Sequence, residues 1–168
     1  MAEKADKRKR GVLMNVYEKI KLLEIVIPKT PAKGGIYAKA REFGDGFIYI
    51  SGCGPTIDGE ASIVGKVGDS IKMEEAQHAA RNCMLNVLAV IEEAIGDLNK
   101  VKSFVKNTTF VACNNDFYLQ PQVANAGSEL LIDIFGDDIG SAARSAVGVN
   151  CLPGNISVET EMLIEIKR

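Results

Sequence analysis

The chain reads as an α+β domain in which two helices cover one face of a mixed sheet, in the core order β-β-α-β-α-β-β. Three observations predict it. Residues 73–95 carry one broad helical stripe of apolar positions: Ala76, Ala80, Cys83, Met84, Val87, Leu88 and Ile91,. Residues 101–112, VKSFVKNTTFVA, are rich in the β-branched and aromatic types that suit a pleated surface,. Residues 158–166, VETEMLIEI, alternate throughout except at Leu163, so one face is buried and the other carries Glu159, Glu161 and Glu165,. A length of 168 residues fits one such domain better than two,.

The elements follow in order. Residues 1–10, MAEKADKRKR, form a flexible basic tail of five basic and two acidic side chains,. Residues 11–35 are an N-terminal extension: Leu13, Val16, Tyr17, Ile20 and Leu23 recur at helical spacing, and Glu24 interrupts them,. Pro28 and Pro31 keep the helix from resuming. Strands are expected at 37–43 and 46–52, joined by a compact turn at Gly44-Asp45-Gly46. FIYIS in the second strand is apolar on consecutive positions, which predicts cover on both faces. Residues 53–70 read as a glycine-rich loop with a short edge hairpin. Asp69 or Ser70 is the expected cap of the 73–95 helix and Gly96 its stop. Asp116 is expected to open a second helix through Phe135, stopped by Gly136. The last strands fall at Ser145–Cys151 and Val158–Ile166, with a Pro153-Gly154-Asn155 turn between them. With both helices on one face, the apolar opposite face predicts burial against other copies of the chain.

Composition excludes several function classes. Twenty Lys+Arg against twenty-two Asp+Glu give a net charge of −2, the wrong balance for a protein that coats nucleic acid,. No apolar run approaches the ~20 residues that span a bilayer. The single His78 removes two-histidine zinc sites and histidine-pair ribonuclease chemistry,. Cys53, Cys83, Cys113 and Cys151 form no CxxC, so they read as reduced thiols, mainly core fillers, in a cytoplasmic protein,. The glycines of 53–70 match neither dinucleotide nor P-loop spacing.

Several segments together resemble the RidA (YjgF) family: FIYISGCGP at 47–55, GDLNKVKSFVKNTTFVA at 96–112, NDF at 115–117, and ARSAVGVNCLP followed by VETE within 143–161. The likeness spans residues 36–168, and the leading helix and loop resemble the branch of that family with an N-terminal extension. The resemblance implies a chorismate-mutase-like fold, a homotrimer whose sheets face inward as a barrel, and a cleft at each subunit boundary. It implies hydrolysis of reactive enamines and imines such as 2-aminoacrylate to 2-keto acids and ammonia, with no cofactor and no metal. Other members are described as endoribonucleases or translation inhibitors, and some lack deaminase activity. A non-catalytic module that binds a small carboxylate such as a 2-keto acid is therefore the alternative.

The same resemblance assigns roles to residues. Arg144 stands at the position of the family's substrate-binding arginine; its planar fork suits a carboxylate where a lysine would offer a point charge. Glu159 matches the glutamate that holds the attacking water. The backbone of Ser51 and Gly52 is expected to donate to the carboxylate, Tyr37 to wall the cleft, and Phe117 to line it. Ala146 stands where many relatives carry cysteine, so a mechanism that needs a thiol there fails in this chain. Cys53 stands where relatives often carry glutamine, and Ala142 where they carry proline or histidine.

Overall fold

The computed structural model describes residues 15–60 and 63–168. The basic tail at 1–10 and the start of the expected first helix lie outside the described residues. The first described helix, α1 (Val16–Leu22), ends as Glu24 takes a left-handed φ of 54°, where the sequence pattern also lapses. Its side chains dock on the domain. Ile20 is buried in the core, and the Tyr17 hydroxyl donates to Glu92 at 2.7 Å while accepting from the Leu98 N–H at 3.0 Å.

Strands β1 (Ala40–Phe43) and β2 (Phe47–Cys53) pair antiparallel around the Gly44–Gly46 turn, whose glycines both adopt positive φ. Helix α2 (Met73–Ile95) and strand β3 (Val101–Ala112) occupy the expected residues. Helix α3 (Gln120–Phe135), a short α4 (Asp137–Gly140), β4 (Ala143–Val149) and β5 (Val158–Ile166) follow. The sheet order is β1-β2-β5-β3-β4, antiparallel except for the parallel β3–β4 pair. The predicted α+β class and mixed sheet are thus present.

Helices α2 and α3 cover one face. Ile48, Ile50, Phe104, Met162 and Ile164 from the sheet meet Met84, Leu88, Ile91, Leu130, Leu131 and Ile134 from the helices. Each fully buried aliphatic chain stabilises the fold by roughly 1.5–3 kcal/mol relative to exposure. The two helices approach closely at Gly127, where an added Cβ would stand 3.2 Å from the Ala80 carbonyl oxygen. Among the described residues the opposite face is bare. Tyr49 is 42% exposed, Phe43 and Val147 are also exposed, and Glu159, Glu161 and Glu165 alternate with the buried residues of β5.

Several boundaries differ from the sequence reading: β1 begins at Ala40, three residues after the expected start, and β4 at Ala143, two residues before it. The N-cap of α2 is Lys72, not Asp69 or Ser70; its N–H donates to the Glu75 carboxylate at 2.9 Å, so the first acidic turn does the capping,. Asp116 sits in a turn, and α3 begins only at Gln120, with Pro121 in its first turn,. Strand β4 ends at Val149, two residues before Cys151, because its hydrogen-bonding partner β3 itself ends at Ala112.

Candidate functional site

A cavity of about 650 Å³ opens at the C-terminal end of β2. Ser51, Gly52 and Cys53 form its floor. Tyr37 and Lys39 precede β1, Lys29–Ala32 come from the extension, Val90 projects from α2, and Pro153, Gly154 and Ile156 belong to the turn before β5. Tyr37, Ser51 and Gly52, three of the residues expected from the resemblance, are therefore together on this wall.

The pairing of β2 with β5 explains why the floor is accessible. Ile50 pairs with Met162 but Cys53 pairs with Thr160, so Ser51 and Gly52 together oppose Glu161 alone. This bulge turns the backbone out of a regular ladder, a common device for re-aiming chain at a site. The Ser51 N–H donates to the Lys39 carbonyl at 2.9 Å and its hydroxyl to the Ala38 carbonyl at 2.7 Å. Of the two backbone donors expected from sequence, that of Ser51 is therefore committed to the fold.

Gly52 is constrained by a different neighbour. An added Cβ would overlap the Glu159 carboxylate, lying 2.7 Å from its carboxyl carbon and 3.1 Å from its Cγ. A side chain here would push the Glu159 carboxylate aside, so glycine permits this close approach rather than supplying backbone freedom,. Glu159 is half-buried, and burial first and the Glu161 charge second push its carboxyl pKa above the ordinary 4.5,. A carboxylate shifted this way is a better proton acceptor near neutral pH than a solvated one. Beside it, burial and then the Glu159 charge push the Cys53 thiol up to about 12, so it is a neutral thiol rather than a nucleophile,.

Arg144 lies elsewhere. Its register partner across the parallel ladder is the buried Asn107, whereas Glu159 pairs with Phe110, three residues on and hence on the opposite face,. The guanidinium folds over α3, with Nη1 donating to Ser128 Oγ at 3.0 Å and Nη2 to the Pro121 carbonyl at 3.3 Å. It lines a separate cavity of about 340 Å³ with Asn107, Leu131 and Ala142. Both its partners are neutral, and among the described residues it makes no ion pair. Ala146 follows on the same strand opposite Thr109. Phe117 packs on the cluster of Val111, Val123 and Val158, outside the lining of the larger cavity.

Sequence reasoning missed two residues here. Lys39 is half-buried in the cavity wall with Nζ 3.1 Å from Glu93 Oε2. Asn86, only 1% exposed, donates from Nδ2 to the carbonyls of Gly54 (2.9 Å) and Thr56 (2.6 Å) and so pins the loop that closes one side. The signal for Asn86 was present as an amide within the apolar helical stripe; Lys39 had none. Among the described residues no group of three His, Cys, Asp or Glu side chains is placed to hold a metal ion, and no helix is long and apolar enough to cross a membrane.

Comparison with known proteins follows the same outline. The sequence model of the family described as Endoribonuclease L-PSP matches residues 28–166. Protein TCP17 of Trypanosoma cruzi is 40% identical over 119 residues, covering 71% of this chain and 74% of that protein. The crystal structure of Atu1372 from Agrobacterium tumefaciens is 33% identical with a TM-score of 0.83, over 90% of this chain and 92% of that one. The YjgF gene product of Escherichia coli is 29% identical with a TM-score of 0.57, over 84% and 98% of the two chains.

Proposed function

The chain belongs to the endoribonuclease L-PSP (YjgF/RidA) family, and on that premise we propose that it hydrolyses reactive imines and enamines of small amino acids to 2-keto acids and ammonia. The observation that carries this reading is the contact between Glu159 and Gly52: a half-buried carboxylate of raised proton affinity, outside the cavity lining itself but pressed on the backbone that floors it.

The chemistry asks little more. An enamine first tautomerises to its imine. Glu159 takes a proton from water as the water oxygen bonds to the imine carbon, and the C=N electron pair moves to nitrogen, which acquires a proton. The carbon now bears hydroxyl and amine; as the C–N bond breaks, the hydroxyl proton leaves, C=O forms and ammonia departs. Atoms balance with water as the sole co-reactant. General-base assistance of this kind contributes roughly 10²–10⁴ in rate.

The substrate carboxylate needs a fork-shaped cation. Arg144 is suited to that role because its present partners are a hydroxyl and a carbonyl, which an acid group outcompetes,. Since Arg144 and Glu159 occupy opposite sheet faces of one chain, they meet only across a boundary between copies, where edge strand β4 of one copy brings Arg144 to the Glu159 of its neighbour. A homotrimer with clefts at its boundaries supplies this arrangement, with Tyr37, Ser51, Gly52 and Glu159 from one copy and Arg144 and Ala146 from its neighbour.

The test is keto-acid and ammonia release from an imine generated in place by an amino-acid oxidase. The purified chain should accelerate release, and Arg144→Ala should abolish the acceleration. Binding of a 2-keto acid without any acceleration would replace the enzyme reading with that of a carboxylate-binding module.

A further inference from the structure

The larger cavity is out of proportion to a three-carbon imine. Its volume of about 650 Å³ lies within the roughly 300–1,000 Å³ range of sites that enclose far bigger ligands,. The extra room has a definite origin. It lies between the Ser51–Gly52 floor and the Lys29–Ala32 wall, and that wall belongs to the segment preceding the sheet.

That wall is firmly held. Thr30 Oγ1 donates to the Ala89 carbonyl at 3.4 Å, Ile25 and Ile27 pack on the core, and Tyr17 and Ile20 anchor α1 further back. Charge is distributed unevenly within the space. Lys29 and Asp58 stand exposed at the rim with opposite sign, so their fields offset each other. Among the described residues Lys39 alone is a half-buried ion of the lining; with Glu93 it also lines a neighbouring cavity of about 370 Å³, and its charge reaches the floor at Cys53, where it opposes the upward shift of the thiol. Its partner Glu93 is more than half exposed and so well solvated, and it compensates the ammonium only in part,.

We infer that this cavity selects a substrate with two acid groups, the imine of a dicarboxylic amino acid, whose distal carboxylate lies against Lys39 while the reacting end rests at Gly52. The inference rests on the deaminase reading for the reacting end and adds the substrate class. A compact ammonium suits the distal group, which needs charge but no fixed orientation, whereas the reacting end needs the planar fork of an arginine. Removing a half-buried cation from a site that binds an acid group leaves that group desolvated and unpaired, which is how such sites discriminate.

The experiment compares imines generated from glutamate and from alanine, with 2-oxoglutarate and pyruvate as binding probes in calorimetry, on the full chain. The parent should prefer the dicarboxylic imine at least tenfold in kcat/KM and bind 2-oxoglutarate the more tightly. Lys39→Gln should erase at least tenfold of that preference, mainly through KM, and Lys39→Arg should restore part of it; thermal melts of both variants confirm that they fold. Equal handling of the two acids by the parent, or equal loss on both in Lys39→Gln, overturns the inference while leaving the deaminase intact. Lys39-dependent preference for 2-oxoglutarate with no imine consumed overturns the deaminase and leaves the two-acid pocket standing.

Discussion

The two faces of the sheet differ in how completely one chain finishes them. The helix-covered face is dry and closed: Ile50, Met162 and Ile164 are buried beneath α2 and α3, and at its edge Arg144 has found neutral partners on α3. On the bare face Tyr49 lies exposed beside Glu161, and Glu159, Glu161 and Glu165 stand in a row with Leu163 among them. A single chain therefore holds Arg144, the proposed anion-binding cation, on one side and Glu159, the proposed proton acceptor, on the other. The helix-covered core closes within one chain, and the proposed chemistry does not.

The sharpest way to break this contrast is to spoil the bare face without touching the core. Leu163→Glu adds a charge to a row that already holds three acids, so packing against another copy would bury unpaired carboxylates,. Size-exclusion with light scattering should show the mass falling from that of the proposed trimer to that of a monomer, with far-UV circular dichroism retained and imine turnover lost. A trimer that survives this change removes the bare face as the contact surface.

A second test concerns Glu159 itself. Glu159→Gln should lower kcat by roughly 10²–10⁴. The acid limb of the parent's pH–rate profile should lie above the ordinary carboxylate value of 4.5, because burial and Glu161 raise the group's pKa. Stability follows the same sign. The folded state holds the proton more tightly than the unfolded chain, so the stabilisation is full below the ordinary value and is lost as pH rises through the folded one. The glutamine variant escapes that loss, and its melting midpoint should exceed the parent's at neutral pH. Denaturation scans across the acid range check it.

The smallest effect is expected at Cys53. With its thiol pushed up to about 12, it is protonated at neutral pH and buried, so Cys53→Ser should alter turnover by no more than about threefold, consistent with a thiol that is not the attacking group. A loss of a hundredfold, measured in the same assay, would return the thiol to the mechanism.

Much of this architecture was legible in the sequence because it rests on periodicity. The stripe of α2, the alternation of β5 and the stops at Gly96 and Gly136 are local patterns, and they appear where expected. Loss of pattern marked the limits. Asp116 looked like a helix cap because its type favours that role, yet the chain turns through Asn115 and Asp116 before Gln120 starts α3. The site was legible only in part. Ser51, Gly52 and Tyr37 share a cavity, but the approach of Glu159 to Gly52 depends on a bulge that no local pattern announces. Arg144 was readable as a residue and not as a direction, since its face is set by the parallel register with Asn107. Lys39 enters through its backbone bond from Ser51 and its ion pair with Glu93 on α2, which are tertiary outcomes.

The division of the site between copies is tested most directly by mixing two inactive variants, Arg144→Ala and Glu159→Gln, after unfolding and refolding together. If the two residues act across a boundary, random closed rings restore a complete pair at about a quarter of the boundaries, and turnover should return to about that fraction of the parent's. If both residues act within one chain, every site keeps a lesion, and a mixture as inactive as its components contradicts the account.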